Sequence, residues 1–499
     1  MAMDLSYFPF LFSLFLFITS LLFITNYPKS EQKNLPPGPR KLPAIGNLHH
    51  FFTSLAPHRV LANLSAKYGA LMHLRLGEVS TFVISSPEFA KEIMKIHDIN
   101  FANRPSFFAS EIIFYNNSDI GTAPYGEYWR QLRKICTLEL LSAKRVQFFQ
   151  PLRGKEFANM CQFIASNEGS GIDLTGRVEL TMCDIFTQAA IGKKTDKQDV
   201  LISSIKEAVD LGAGLSLADV YPSIKMLRYI GGMKGKLERL HKIIDDILED
   251  IIGDHKRRGD ECKHREVDLL DVLLKFNESG HELFLTIENI KAVILDVFTA
   301  GIETSSTTVD WAMAELLRHP KALHEAQEEV RRVFEGKGFA DESNFDQLKY
   351  LELVIKETLR MHPPVPLLIP RENLEACEIN GYKVAAKTRI IVNAWAIGRD
   401  LTKWKDPESF VPERFLDVAV DYKGNHFEFI PFGAGRRMCP GMTFGLAHVV
   451  LPLAMLLYHF DWDVRGNIDM AESFGATSRR KNPLYVIPTV RNPLPVLES

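Results

Sequence analysis

The 499-residue chain has six cysteines, and no two stand in a CxxC spacing. Cys136, Cys161, Cys183, Cys262, Cys377 and Cys439 are scattered, which argues against a zinc site or a disulfide framework and for a reducing compartment. An excess of one charge is also missing. The formal net charge is −3, so nucleic acid is not an implied partner. No GxGxxG fingerprint follows a strand-like run, so the chain has no signature for binding a dinucleotide itself. Gly/Ser linkers, internal repeats and low-complexity tracts are absent. Length alone would suggest about three domains. With 46% hydrophobic and 24% charged residues and nothing to divide the chain, one large globular unit is the better expectation.

Charge is absent from one segment in particular. Leu5 to Tyr27 is dominated by Leu, Phe and Ile and is long enough to span a bilayer as a helix. A basic n-region and a small-residue cleavage site, the marks of a signal peptide, are missing. Asp4 precedes the segment, and Lys29, Lys33, Arg40 and Lys41 follow it, so the positive-inside bias leaves the bulk of the chain in the cytosol. The sequons at Asn63, Asn116 and Asn277 would then be unused. Leu35-Pro36-Pro37-Gly38-Pro39 reads as a stiff, extended spacer. The expected organisation is an anchor over 1–28, a proline-rich hinge over 29–40 and one domain over 41–499.

Periodicity beyond the hinge predicts a mainly α chain with small β-sheets. Strand-like runs occur at Leu71–Leu76, Phe82–Ile84, Arg389–Val392 and Tyr485–Ile487, and helical periodicity dominates from about 125 to 375. The charged segment His255–Glu266 reads as an exposed loop. A long helix is predicted over Asn289–Arg318, stopping at His319-Pro320.

Cys439 stands out by its surroundings, Phe432-Gly433-Ala434-Gly435-Arg436-Arg437-Met438-Cys439-Pro440-Gly441. A lone cysteine is usually an inert small hydrophobe. A thiolate is also the soft ligand that holds haem iron and favours O–O cleavage. Flanking glycines let a backbone turn sharply against a flat macrocycle, and amides in such a turn can point at the sulfur.

The long helix carries Ala300-Gly301-Ile302-Glu303-Thr304-Ser305 at its centre. Gly301 costs about 1 kcal/mol against Ala in a helix interior. Threonine can bond back to the i−4 carbonyl and bend the helix. A kink with a solvated Glu is the plain reading. A widened turn that holds dioxygen and water is the functional one, with Thr304 as hydrogen-bond donor and Glu303 feeding protons through water. Glu357 and Arg360 share a helix face. Trp129 and Arg133 stand one above the other, able to offer an indole N–H and a guanidinium to carboxylates.

Taken together, the motifs resemble the cytochrome P-450 superfamily over essentially the whole chain, in the family's order from the proline hinge to the cysteine loop. Pro124–Arg130 and Pro431–Arg437 look most similar to the plant microsomal clan, and within it to terpenoid and terpenoid-alkaloid oxidases. The resemblance implies haem b held by Cys439 as axial ligand. Phe432 and Gly435 belong to the cysteine loop, while Arg104, Trp129, Arg133, Arg371 and Arg437 stand at propionate-binding positions. It makes Glu357, Arg360 and Arg414 (in Pro412-Glu413-Arg414-Phe415) a buried structural network. Met361, Leu401 and Ala385-Ala386 depart from common residues of relatives and put only local turns in doubt.

The implied activity is insertion of one oxygen atom from O2 into an apolar substrate in the endoplasmic reticulum membrane. Electrons would come from NADPH through a separate NADPH-cytochrome reductase, with cytochrome b5 as a further partner the family admits. Lys134, Lys144, Arg145 and Arg436 are candidates for the reductase dock. By family position, Phe107, Ile112, Ile113 and Phe114 lie over the distal side. Phe298 and Ala300 come from the long helix; Val365, Leu367 and Leu368 follow the Pro-Pro; Phe474 and Ala476 come from near the C-terminus. Such a pocket favours a hydrocarbon-like sesquiterpene or diterpene; alternatives are a monoterpene-indole alkaloid or a phenylpropanoid. A haem-thiolate isomerase or dehydratase, and a haem sensor, are the rival functions. The Glu303-Thr304 pair disfavours the first, and the lack of a second axial ligand on the long helix disfavours the second.

Overall fold

The computed structural model describes residues 34–213, 216–259, 268–278, 284–416 and 418–494. The predicted anchor and the first residues of the hinge lie outside these. The rest of the hinge is extended, and it packs against the body of the protein. Pro36 and Pro39 are buried, and the Pro37 carbonyl accepts the His73 amide at 2.9 Å.

Helices dominate. Those that frame the interior are α1 (Glu127–Ile135), α2 (Leu174–Ile191), α3 (Met233–Gly259), α4 (Leu269–Lys275), α5 (Ile287–Arg318), α6 (Lys349–Met361) and α7 (Met442–His459). The predicted long helix is α5. It begins where Thr286 and Asn289 form a reciprocal capping box, which satisfies two amides left open by the first turn. It ends at His319 because Pro320 opens the next helix. α5 runs through the centre and packs on α2, α6 and α7. Most of its residues from Ser305 to Leu316 are buried, as befits a helix surrounded on all sides. α7 is apolar enough to cross a membrane, but it is mostly buried and belongs to the same core.

Small sheets complete the fold. β1 (Leu71–Leu76) and β2 (Val79–Ile84) contain two of the predicted strand-like runs and pair as a hairpin, turning at Gly77 with φ +62°. β3 (Arg371–Glu372) and β4 (Arg389–Val392) complete a four-stranded sheet of order β1-β2-β4-β3, with β2 and β4 parallel. β5 (Phe460–Asp463) pairs with β8 (Tyr485–Val490), and β6 (Glu472–Phe474) with β7 (Ser478–Arg480).

Two readings of the sequence are corrected. α5 is helical through Gly301, with no interrupted turn there. The glycine serves packing instead. A Cβ on Gly301 would lie 2.5 Å from Cζ of Phe186 on α2 and nearer still to Cε1, so the helices approach as closely as they do only without a side chain. The charged segment from His255 does not begin as an exposed loop. His255 is buried on α3 and contacts Asp271 at 2.6 Å and Asp268 at 3.2 Å, where those aspartates cap α4.

Candidate active site

The cysteine loop closes against α5 across an interior cavity of about 300 Å³. Gly433 and Gly435 adopt φ of +70° and +68°, which suits residues without a Cβ. At Gly435 the requirement is also spatial, because a Cβ would press on the Met94 carbonyl and lie 2.6 Å from Oδ1 of Asp98. Asp98 clamps the loop by accepting the Arg436 amide at 3.0 Å and facing Arg371 at 3.3 Å. The Cys439 amide donates to the Phe432 carbonyl at 2.9 Å. Cys439 and Phe432 both line the cavity. Cys439 is open to the cavity, yet the protein packed around its sulfur desolvates it and pushes the thiol up, opposed by a hydrogen bond from the Gly441 backbone and by the charge of Arg133. Cys439 therefore sits where a cation would draw off its proton.

Four guanidiniums surround the same space. Arg104, Arg133, Arg371 and Arg437 all line the cavity. Burial and mutual repulsion lower Arg104 well below its ordinary value and bring Arg437 to about 9. Burial also lowers Arg371 and Arg133. Arg437 spends Nε on the Ala102 carbonyl and Nη2 on the Ala123 carbonyl, both at 2.6 Å, while its buried Nη1 has no partner. Concentrated buried cations with an unspent donor need an anion. A thiol ligand, an apolar cavity and such an arginine cluster fit an iron porphyrin with its two carboxylates. Trp129 differs from expectation: its indole N–H donates to the Ile120 carbonyl at 3.0 Å.

On the α5 side, Thr304 lines the cavity and its hydroxyl donates to the Ala300 carbonyl at 2.5 Å. Glu303 points elsewhere. Its carboxylate accepts the Thr477 hydroxyl at 2.6 Å and faces Arg479 at 3.4 Å, and it is not among the lining residues. Glu357 accepts from Arg360 at 2.7 and 2.8 Å, from Arg414 at 2.9 Å and from the Val411 amide at 2.9 Å. Glu357 and Arg360 are fully buried on α6, outside the cavity lining.

Of the predicted pocket residues, Ala300, Val365 and Leu368 line the cavity. Phe298 is core, and Ile112, Ile113 and Phe114 pack in a cluster with residues of α3. Phe107 lies under Arg389, Leu367 joins the cluster around β1, and the Phe474 ring lies tilted against His58, 6.1 Å between centroids. Ala476 is half-buried away from the lining. The lining that the sequence reading missed includes Ile120, Phe186, Val293, Asp296, Val297 and Ile369.

A family model described as Cytochrome P450 matches residues 36–487. The chain belongs to the cytochrome P450 family. It is 50% identical to salviol synthase of Salvia pomifera, over 92% of this chain and 93% of that one. It is 48% identical to premnaspirodiene oxygenase of Hyoscyamus muticus, covering 95% and 97%. A zebra fish cytochrome P450 structure with abiraterone superposes with a TM-score of 0.75 at 25% identity, covering 88% of this chain and all of that one. As a P450 the protein is a haem-thiolate monooxygenase of the mostly helical P450 fold. Two described cysteines, Cys136 and Cys439, line the cavity, and Cys439 is the one carried by the glycine loop.

Proposed function

We propose that this P450 oxidises an apolar plant terpenoid of sesquiterpene or diterpene size, in the endoplasmic reticulum membrane, with electrons passed from NADPH by a separate reductase. The observation that carries the substrate reading is the character of the cavity above Cys439. Val293, Val297, Ala300, Val365, Leu368 and Ile369 supply aliphatic surface, while the polar lining consists of the four arginines assigned to the haem carboxylates, Asp296 and the hydroxyls of Thr304, Ser305 and Thr308. The names of two relatives near 50% identity, a salviol synthase and a premnaspirodiene oxygenase, support the same class.

Bound haem supplies activation of O2, and the chain supplies the rest. Cys439 would hold the iron, and the Gly441 amide and Arg133 favour its thiolate. Arg437, with Arg104, Arg133 and Arg371, would neutralise the two carboxylates. The aliphatic wall excludes water and orients the substrate by shape. Thr304 offers a hydroxyl that can turn from the Ala300 carbonyl to donate a proton within the cavity. Glu303, held by Thr477 and Arg479, can return a proton to that region only after leaving them. Glu357, Arg360 and Arg414 hold the core together and touch no substrate. The segment Leu5–Tyr27 would anchor the chain, leaving the catalytic unit cytosolic.

The test is a substrate panel in membranes with a plant reductase, NADPH and isotopically labelled O2. The reading expects a sesquiterpene or diterpene hydrocarbon to gain one labelled oxygen. Turnover confined to polar phenylpropanoids would overturn it.

A further inference from the structure

Tyr115, Asn116 and Asn117 are three successive residues with φ of +48°, +59° and +57°. Asparagine tolerates this left-handed region, whereas an aromatic residue there is strained and has to be held by its surroundings. Contacts at both ends hold the turn. The Tyr115 hydroxyl donates to Oδ1 of Asp245 on α3 at 2.7 Å, and its ring meets the His241 ring of the same helix edge-on, 4.7 Å between centroids. The same Asp245 oxygen accepts from Nζ of Lys291 at 2.6 Å. Lys291 is buried near the start of α5 and also faces Glu249 of α3 at 2.7 Å. At the far end of the turn, Asn117 donates to the Ser106 hydroxyl at 2.9 Å and accepts the Thr122 hydroxyl at 3.1 Å. Ile120 and Gly121, just beyond the turn, line the cavity, and so does Val293, two residues past Lys291. Tyr115, Asp245 and Lys291 therefore join the 106–122 segment, α3 and α5 just outside the cavity lining.

We infer that Tyr115 is the latch of a gate: its phenol holds the strained 115–117 turn shut against α3 and α5, and its release opens a path for an apolar molecule between the 106–122 segment and α3 into the cavity. Elsewhere along that seam Phe108, Ile112 and Ile113 pack on Leu237 and Leu240 of α3. Such apolar contacts are non-directional, so the two surfaces can part and pack again, whereas a phenol–carboxylate hydrogen bond fixes one position. Lys291 keeps the carboxylate of Asp245 in place to receive the phenol. The strain of the turn favours opening and the tether opposes it. A ligand passes only during the open fraction, so that fraction scales its rates of entry and exit alike. Loss of the tether should raise the open fraction about tenfold, the low end for a hydrogen bond to a charged group, because Asp245 is partly exposed.

The inference rests on the haem-thiolate reading for one of its two readouts. The experiment is stopped-flow binding of 4-phenylimidazole to the full-length holoenzyme, with hydrogen exchange of the backbone amides alongside. Wild type, Tyr115→Phe, Asp245→Ala and the double variant are compared. Tyr115→Phe keeps the ring and the strained turn and loses only the hydroxyl. Association and dissociation should both quicken about tenfold, with Kd within about twofold of wild type, because a gate changes the traffic and leaves the occupied site alone. The amides of Asn116 and Ser118 donate within the turn to the carbonyls of Glu111 and Phe114, both at 2.9 Å. They should exchange about tenfold faster in Tyr115→Phe. Asp245→Ala should quicken the ligand to the same degree and the double variant no further, since the two changes break one contact. Unchanged association in Tyr115→Phe, a Kd that rises through dissociation alone, or effects that multiply in the double variant would overturn the inference. Exchange needs no haem signal, so a missing ligand spectrum in the wild type would count against the haem reading while the exchange rates still decide the latch.

Discussion

Gly301→Ala places two large effects in opposition. Alanine in a helix interior is favoured over glycine by about 1 kcal/mol. The new methyl would lie 2.5 Å from Cζ and 2.7 Å from Cδ1 of Phe186, against a comfortable carbon contact of about 3.5 Å. Phe186 can give way only into the cavity that it lines. It is buried, with the Phe444 ring centroid at 5.7 Å and the His448 ring at 4.8 Å. Overpacking of this kind costs about 1–3 kcal/mol, and the overlap here belongs at the upper end. The net expectation is a loss of about 2 kcal/mol. Urea unfolding followed by far-UV circular dichroism measures it. Combining Gly301→Ala with Phe186→Leu should recover at least half of the loss, because the two sites are in contact and their effects are not additive. A Gly301→Ala protein as stable as wild type, or more so, would refute the packing account and leave only helix propensity.

Other perturbations have equally definite outcomes. Glu357→Ala leaves the buried Arg360 and the partly buried Arg414 without their carboxylate and should cost about 3–5 kcal/mol, read as lost soluble holoprotein, whereas Glu303→Ala should leave folding intact. Arg437→Leu relieves repulsion among the four arginines yet removes an unspent donor; haem transfer to an apo-acceptor should speed about tenfold, with the fold unchanged by circular dichroism. At His255, burial lowers the pKa but hydrogen bonds to Asp268 and Asp271 outweigh it and raise the group to about 9. Its folded pKa exceeds the unfolded one, so its stabilisation is complete below the ordinary histidine range and is lost as pH climbs through about 9. Unfolding of His255→Asn should lack that alkaline loss.

The contiguous motifs were legible because their chemistry lies within a few residues. The cysteine loop and the Glu357/Arg360 pair each sit on one element, and their spacing sets their shared face, whereas Trp129, on the same helix as Arg133, spends its indole N–H on Ile120. The cavity wall was less legible because helix phase was not followed. Val293, Asp296, Val297, Ala300 and Thr304 recur at intervals of three and four and form one stripe of α5, and that stripe excludes Phe298. Reading the period outward from Thr304 would have found Asp296. The role of Gly301 depends on Phe186, more than a hundred residues earlier on α2, and no local pattern announces that meeting. His255 was misassigned because a run of charges suggests solvent, while the aspartates that bury and pair it belong to the cap of the next helix.

The central claim is that Cys439 gives a thiolate to haem iron within this cavity. A carbon monoxide difference spectrum of the reduced, membrane-bound protein tests it most directly, with Cys439→Ser alongside. A strongly red-shifted Soret band in the wild type, absent from the variant, is the predicted result. Haem bound without that band in the wild type, or the same band retained by Cys439→Ser, would contradict the account.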